Sequence, residues 1–282
     1  MNHQHQHHDI DWAAMADALE LEGAAFSPYV AQALDQLGQL TPQRILDIGS
    51  GPGVAACQLA EKFGDAEVIA VDGSSELLER AVKRAARLGV RVTTRQAEFP
   101  EGLKNLPAAD LVWSAQVVHH VGDQLGALKD LAALLRPGGT LAIVEGGLPV
   151  RSLPRDIGFG KPGLQYRLDV ATNERFDLMR AELPGSVAVV EDWPAMLRAA
   201  GLVDAHSRTF LVDHAAPLAD GPRQFIRRTV ERQRAGLAEF LDPDDLATLD
   251  RLLDPADPAG IDRRSDLFLL TAKTVHFARR EG

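Results

Sequence analysis

Three glycines at alternate positions, with one acid ahead of them and another beyond them, are the residues of this chain best suited to chemistry. Ile45-Leu-Asp-Ile-Gly-Ser-Gly-Pro-Gly53 runs from an apolar strand into Gly49, Gly51 and Gly53 and then into a helical segment. Glycine at a strand-to-helix turn lets a ligand approach the backbone closely. Val68-Ile-Ala-Val-Asp72 reads as a second strand ending in an acid 23 residues after Gly49, where a carboxylate can accept both hydroxyls of a ribose. Asp47, two residues ahead of Gly49, would attract a cation directly or through water. Farther along, Gln116-Val-Val-His-His-Val121 places His119 and His120 just after a strand, and Glu145 ends the next strand. An imidazole titrates near pH ~6.5, close to the ideal for a general base at neutral pH.

Two cofactor classes fit a glycine turn followed by a ribose acid. A dinucleotide brings a pyrophosphate, and its fingerprint calls for Gly or Ala where this chain has Val54. It also gains nothing from Asp47. S-adenosylmethionine has no phosphate and carries a sulfonium and an ammonium, which Asp47 would favour. On these residues the chain resembles the class I S-adenosylmethionine-dependent methyltransferases, whose first motif is an acid followed by Gly-x-Gly-x-Gly. The resemblance covers roughly residues 40–146 and, loosely, the strands after 205. It implies that Asp47, Gly49, Ser50, Gly51 and Gly53 serve the methionyl moiety, that Asp72 holds the ribose, and that Gly73 and Ser74 sit beside the adenosine. Many members place an Asp near the end of the third strand against the adenine; here Ala97 and Glu98 stand at that point, a departure from the pattern. Backbone groups around Ala115 and Gln116 would meet the cofactor's amino group. Sugar and small-metabolite O-methyltransferases of this superfamily often pair a histidine after the fourth strand with an acid at the end of the fifth, and His119 with Glu145 matches that arrangement. His120 is the second candidate for the same role.

Methyl transfer from a sulfonium is a direct displacement, so alignment contributes most, roughly 7–11 kcal/mol, and a base is needed only when the nucleophile must lose a proton. Hydroxyls and carbon acids need one, while amines do not. The expected reaction is therefore methylation of a small molecule, with oxygen ahead of nitrogen and carbon. Two rivals are a nicotinamide-dependent oxidoreductase on a related fold and a noncatalytic protein that keeps only the cofactor site. For the acceptor, Arg151 and Arg155 form a basic cluster with Lys161 suited to a carboxylate or phosphate, or a set of solvated charges with Asp156 as partner. Trp12, Tyr29 and Tyr166 offer flat contacts, whereas Trp193 is expected in the core. His206, His214 and His276 lack metal-ligand spacing, Asp123 stands alone, and no metal is expected.

These residues need a scaffold that brings strand ends together. Short β-branched runs alternate with helical segments from Arg44 onward, the pattern of a doubly wound α/β fold. Strands are predicted near Arg44–Ile48, Glu67–Val71, Arg91–Thr94, Leu111–Ser114, Thr140–Glu145, Arg208–Asp213 and Asp266–Thr274, giving a mostly parallel seven-stranded sheet with helical cap elements. Helices are predicted over Val54–Phe63, Ser75–Leu88, Gln124–Leu135, Leu164–Leu183, Arg223–Leu241 and Pro243–Leu253, with another after Asp192. Two short helices, broken at Ser27-Pro28, are expected before the first strand. Residues 146–163 hold five Gly and three Pro and read as one long loop. The chain divides into a tract and cap helices (1–40), a cofactor-binding core (41–146), an acceptor-site cover (147–204), and the last strands with inserted helices (205–282).

Composition narrows the partners. The 282 residues carry 30 basic and 40 acidic side chains, a net charge of −10. Such a field opposes binding to nucleic acid or an anionic membrane. Cys57 is the single cysteine, so no intramolecular disulfide can form. With no apolar run of bilayer length and no signal pattern, a cytoplasmic protein is expected, and a homodimer is compatible with it. Four of the nine histidines fall in the first nine residues, a tract expected to be disordered.

Overall fold

The computed structural model describes residues 12–282; the His-rich tract lies outside them. Seven strands form one sheet: β1 (Arg44–Ile48), β2 (Glu67–Asp72), β3 (Thr93–Gln96), β4 (Ala109–Ala115), β5 (Leu135–Arg151), β6 (Val203–His214) and β7 (Leu269–Arg279). Their spatial order is β3-β2-β1-β4-β5-β7-β6. The first five pair in parallel, while β7 runs antiparallel to both β5 and β6. Strand order reverses beside β1, which opens a crevice beyond its carboxyl end, where doubly wound sheets bind ligands.

Among the described residues eight α-helices cover the sheet: α1 (Trp12–Gln36), α2 (Val54–Lys62), α3 (Ser75–Leu88), α4 (Gln124–Ala133), α5 (Leu164–Glu182), α6 (Trp193–Ala199), α7 (Asp220–Gly236) and α8 (Pro243–Leu253). The period-2 alternation of each strand divides its side chains between two apolar layers. Ile45, Leu111 and Trp113 face the layer that contains α1, α2 and α7. Leu46, Ile48 and Val112 face the layer with α4 and α6. Trp193 is buried in that second layer, in the core as expected.

Three local expectations need correction. The N-terminal segment is one continuous helix, with Pro28 inside α1. Proline removes the N–H that would bond the carbonyl of Ala24, and the Ser27 hydroxyl donates to that carbonyl at 2.9 Å instead. Residues 146–163 are not all loop, because β5 continues to Arg151 by pairing Gly147, Leu148 and Arg151 with β7 across a bulge. Gly146 and Gly147 have φ of 70° and 121° at that bulge, a use glycine serves. Finally, the strand expected from Thr140 begins at Leu135, and Arg136-Pro-Gly-Gly139 lies inside it. That segment is a register shift within β5, where Leu135 pairs with Ala109 and Thr140 with Leu111.

Candidate active site

The glycine turn after β1 divides its labour. Gly49, Gly51 and Gly53 all have positive φ, at 69°, 52° and 75°. A Cβ at Gly49 would overlap Val117, and one at Gly53 would lie 2.5 Å from Ala81, whereas one at Gly51 would meet nothing within 4 Å. Gly49 and Gly53 therefore permit close packing, and Gly51 leaves open space. The Asp72 carboxylate fastens this turn, accepting from the Gly51 N–H at 2.8 Å and the Ser74 N–H at 2.9 Å. Asp72 is not the helix cap; Ser74 caps α3 by accepting from Leu77 N–H. Burial raises the Asp72 pKa against these bonds.

A cavity of about 160 Å³ opens beside the turn. Its walls bring together Asp47, Gly49, Ser50, Gly51, Ala115 and Gln116 from the strand ends with Tyr29 from α1. Asp47 is 2% exposed, and its Oδ2 has no hydrogen-bond partner among the described residues, nor does the Ser50 hydroxyl. Burial, and then the neighbouring Asp72, push the Asp47 carboxyl up to about 7. An orphaned buried carboxylate facing a cavity suits a ligand that brings its own cationic donors. These residues fit the methionyl end of S-adenosylmethionine. Tyr29 is buried, and its hydroxyl is raised above the usual phenol range by burial and by the charges of Asp47, Glu22 and Glu145.

Asp47 has a pH signature. From about pH 4 to 7 the folded protein holds a proton that the unfolded chain has released, so stability is greatest at the low end and falls as pH rises through 7. The cost of ionising this site is on the order of 4 kcal/mol. Asp47→Asn is expected to flatten that fall in the cofactor-free protein, measured as melting temperature against pH; parallel curves for the two proteins would contradict the assignment.

Gly73, Ala97 and Glu98 gather next to Asp72. The Ala97 N–H donates to the Asp72 carbonyl at 3.0 Å, and the Glu98 carboxylate lies over Gly73. They do not line the cavity and form the adjoining part of the crevice.

At the ends of β4 and β5 the second predicted group also comes together. Glu145, 3% exposed, accepts from Val117 N–H at 3.1 Å and Val118 N–H at 2.8 Å through Oε1, and its Oε2 is 2.8 Å from His119 Nδ1. This fixes the ring and leaves Nε2 unpartnered among the described residues. The His120 ring lies beside it, tilted by 45° with ring centroids 4.1 Å apart. Burial and then His119 push the His120 pKa down to about 4. A ring with so low a proton affinity is a weak base, and His119 is the one oriented by Glu145. Gln116 holds φ of 59°, strained for a residue other than glycine, with its side-chain amide on the Val144 carbonyl at 3.1 Å.

Two contributors lie outside the sequence reading. Arg180, on α5, donates to the carbonyls of His119 at 2.9 Å and Val121 at 2.6 Å, clamping the histidine segment. Lys273, on β7, lines the same cavity as Asp47. Only a lysine in the middle of a strand hinted at it.

The predicted basic cluster assembles only in part. Arg151 pairs with Asp169 through both of its terminal nitrogens and lies 5.0 Å over the Tyr166 ring. Lys161 pairs with Asp242 and Asp244. Arg151, Arg155 and Tyr166 line a separate cavity of about 50 Å³. Trp12 begins α1, and its side chain lies outside the described residues. His276 is structural, bonding Ser207 Oγ at 2.7 Å and the Glu145 carbonyl at 3.1 Å. Among the described residues no group of three or more His, Cys, Asp or Glu is arranged to hold a metal, and no helix is long and apolar enough to cross a membrane.

Fold and site together define a Rossmann-like protein whose crevice suits a cationic adenosyl cofactor. Residues 45–139 match the family described as "Methyltransferase domain". The chain is 33% identical over 151 residues to a trans-aconitate 2-methyltransferase of Pseudomonas aeruginosa, covering 49% of this chain and 53% of that protein. It is 28% identical over 239 residues to one of Methylobacterium nodulans, covering 83% of each. The chain spans about half the length of the curated relatives it matches at 33–36% identity, between 39% and 53%. Among solved structures, an O-methyltransferase family protein from Burkholderia thailandensis superposes with a TM-score of 0.51 at 15% identity, covering 96% of this chain and 60% of that one. Phosphoethanolamine N-methyltransferase 2 of Haemonchus contortus, solved with phosphomonomethylethanolamine and S-adenosylhomocysteine, gives 0.50 at 18% identity, covering 90% and 53%. Over residues 45–139 the chain is thus similar to methyltransferases, and its strand order and glycine turn agree with that likeness.

Proposed function

We propose that this protein transfers the methyl group of S-adenosylmethionine to a hydroxyl oxygen of a small acceptor. The observation that carries the reading is the pairing, at adjoining strand ends, of an orphaned buried carboxylate with a histidine fixed by a buried glutamate. When bound, the cofactor supplies an activated methyl group on a sulfonium. Asp47 favours its cationic end, Gly51 leaves room for it, and Asp72, with Gly73, Ala97 and Glu98 alongside, serves its adenosyl end. His119 removes the acceptor proton through Nε2, and Glu145 stabilises the histidinium that results. Cap elements around α1 and the segment 152–199 cover the crevice in this reading, and the protein works in the cytoplasm, as a monomer or a homodimer.

One observation favours a second acceptor oxygen. The acid named for the relatives, trans-aconitate, offers carboxylate oxygens and no hydroxyl. A carboxylate is already ionised and would need no base.

Calorimetric titration and product mass analysis test the methyl-transfer reading. S-adenosylhomocysteine is expected to bind with micromolar or tighter affinity, NAD(H) to give no heat, and labelled methyl to appear in a small-molecule product. Binding of NAD(H) alone would favour the oxidoreductase; cofactor binding with no acceptor consumed from metabolite extracts would favour the noncatalytic protein.

A further inference from the structure

The cavity beside the glycine turn holds one group that methyl transfer does not require. Lys273 is the sole basic side chain among its described lining residues, which include the acids Glu22 and Asp47. It is half-buried, its ammonium lies 4.7 Å above the Phe26 ring, and it forms no ion pair among the described residues. The acids whose charges reach it are engaged elsewhere: Glu145 holds the His119 ring and two backbone N–H groups, and Glu22 contacts Arg232 at 3.8 Å. Burial lowers the lysine's pKa, while Glu22 and Glu145 counter that fall. A desolvated cation facing a cavity without a counter-ion is costly, and an anionic ligand would remove that cost.

Its place in the sheet says which ligand. Lys273 pairs with Gly147 on β5, just beyond Glu145. Strands β4 and β5 separate β7 from the glycine-turn strand β1, a span of about 14 Å at the usual strand spacing. The Lys273 backbone thus stands beyond β4 and β5 from the turn, on the side open to an acceptor, and its side chain reaches back into the cavity that the turn also lines.

We propose that Lys273 anchors a carboxylate of the acceptor, so that this protein methylates carboxylic acids that carry a second nucleophilic oxygen. The proposal rests on the methyl-transfer reading. It gives the acceptor a charged handle at one end while His119 addresses the reacting oxygen at the other.

The test is a panel of hydroxycarboxylic and polycarboxylic acids, each beside its neutral amide, assayed with labelled S-adenosylmethionine on the wild type, Lys273→Met and Lys273→Arg. S-adenosylhomocysteine affinity and melting temperature are measured in parallel. The expected result is that acids are methylated and their amides are poor acceptors. Lys273→Met should raise KM for the acid about 10- to 100-fold, the worth of one charge-assisted hydrogen bond, with Lys273→Arg restoring part of it. Affinity of Lys273→Met for S-adenosylhomocysteine should stay within about twofold of the wild type, because the cofactor does not use the anchor. A fall in that affinity with KM unchanged would overturn the proposal by assigning Lys273 to the cofactor's own carboxylate. Equal use of acids and amides, or methylation of neutral compounds only, would overturn it while leaving methyl transfer intact. Loss of S-adenosylhomocysteine binding in the wild type would overturn both.

Discussion

His119→Ala is expected to lower kcat by roughly 10²- to 10⁴-fold, the range of a positioned general base, while S-adenosylhomocysteine affinity barely changes. His119 has one nitrogen committed to Glu145 at 2.8 Å, so the other is presented in one orientation and as one tautomer, set by its neighbour. Glu145 can hold the ring because Val117 and Val118 N–H fix its other oxygen, and Arg180 clamps the carbonyl of His119 itself. Removing the imidazole leaves those bonds to the backbone in place, so cofactor binding and folding survive the substitution. The neighbouring ring cannot substitute, since its pKa of about 4 makes it a poor proton acceptor at pH 7. His120→Ala should therefore cost much less than His119→Ala. Unchanged turnover in His119→Ala would remove the base and leave an already ionised acceptor oxygen, such as a carboxylate, as the nucleophile. The two readings of the acceptor differ on this measurement, made with steady-state kinetics under saturating cofactor.

The parts legible in the sequence were those encoded locally. Arg44–Ile48, Ser75–Leu88 and Pro243–Leu253 begin and end where their patterns and turn residues place them. The glycine turn and Asp72 were equally plain, because strand, turn and acid follow one another within a single unit. What could not be read depends on partners far along the chain. Extension of β5 to Arg151 requires β7, more than a hundred residues later, and no local pattern announces that ladder. Arg180 reaches carbonyls about 60 positions away, and Lys273 meets Phe26 and Gly147 only through folding. The basic cluster of the 151–161 segment came together only in part for the same reason: Asp242 and Asp244 draw Lys161 away, and Asp169 neutralises Arg151. Pro28 misled differently. A proline normally ends a helix by orphaning a carbonyl, and the adjacent Ser27 hydroxyl supplied the missing donor.

The glycines of the turn, similar in sequence, are expected to separate when each is replaced by alanine. Both Gly49 and Gly51 sit at left-handed φ, so either substitution carries about 1–2 kcal/mol of backbone cost. At Gly51 nothing further is met; the added methyl enters the space beside Asp47, and the main loss is cofactor affinity. At Gly49 the methyl is driven into Val117, and overpacking of a dense interior adds about 1–3 kcal/mol. Relief by moving Val117 is resisted, because the Val117 and Val118 N–H groups are held by Glu145, the residue that orients His119. Gly49→Ala should therefore lower stability by about 2–5 kcal/mol, a fall in melting temperature of roughly 3–8 °C for a chain of this size, and should reduce kcat by disturbing the histidine. Gly51→Ala should lose only a few degrees yet bind S-adenosylhomocysteine at least about tenfold more weakly, as expected when a methyl blocks a ligand's approach to backbone. Thermal melts and calorimetry on the two variants measure both halves of the contrast. Equal melting temperatures would mean that Val117 yields without cost, and the rigid link from the glycine turn to His119 would then be lost.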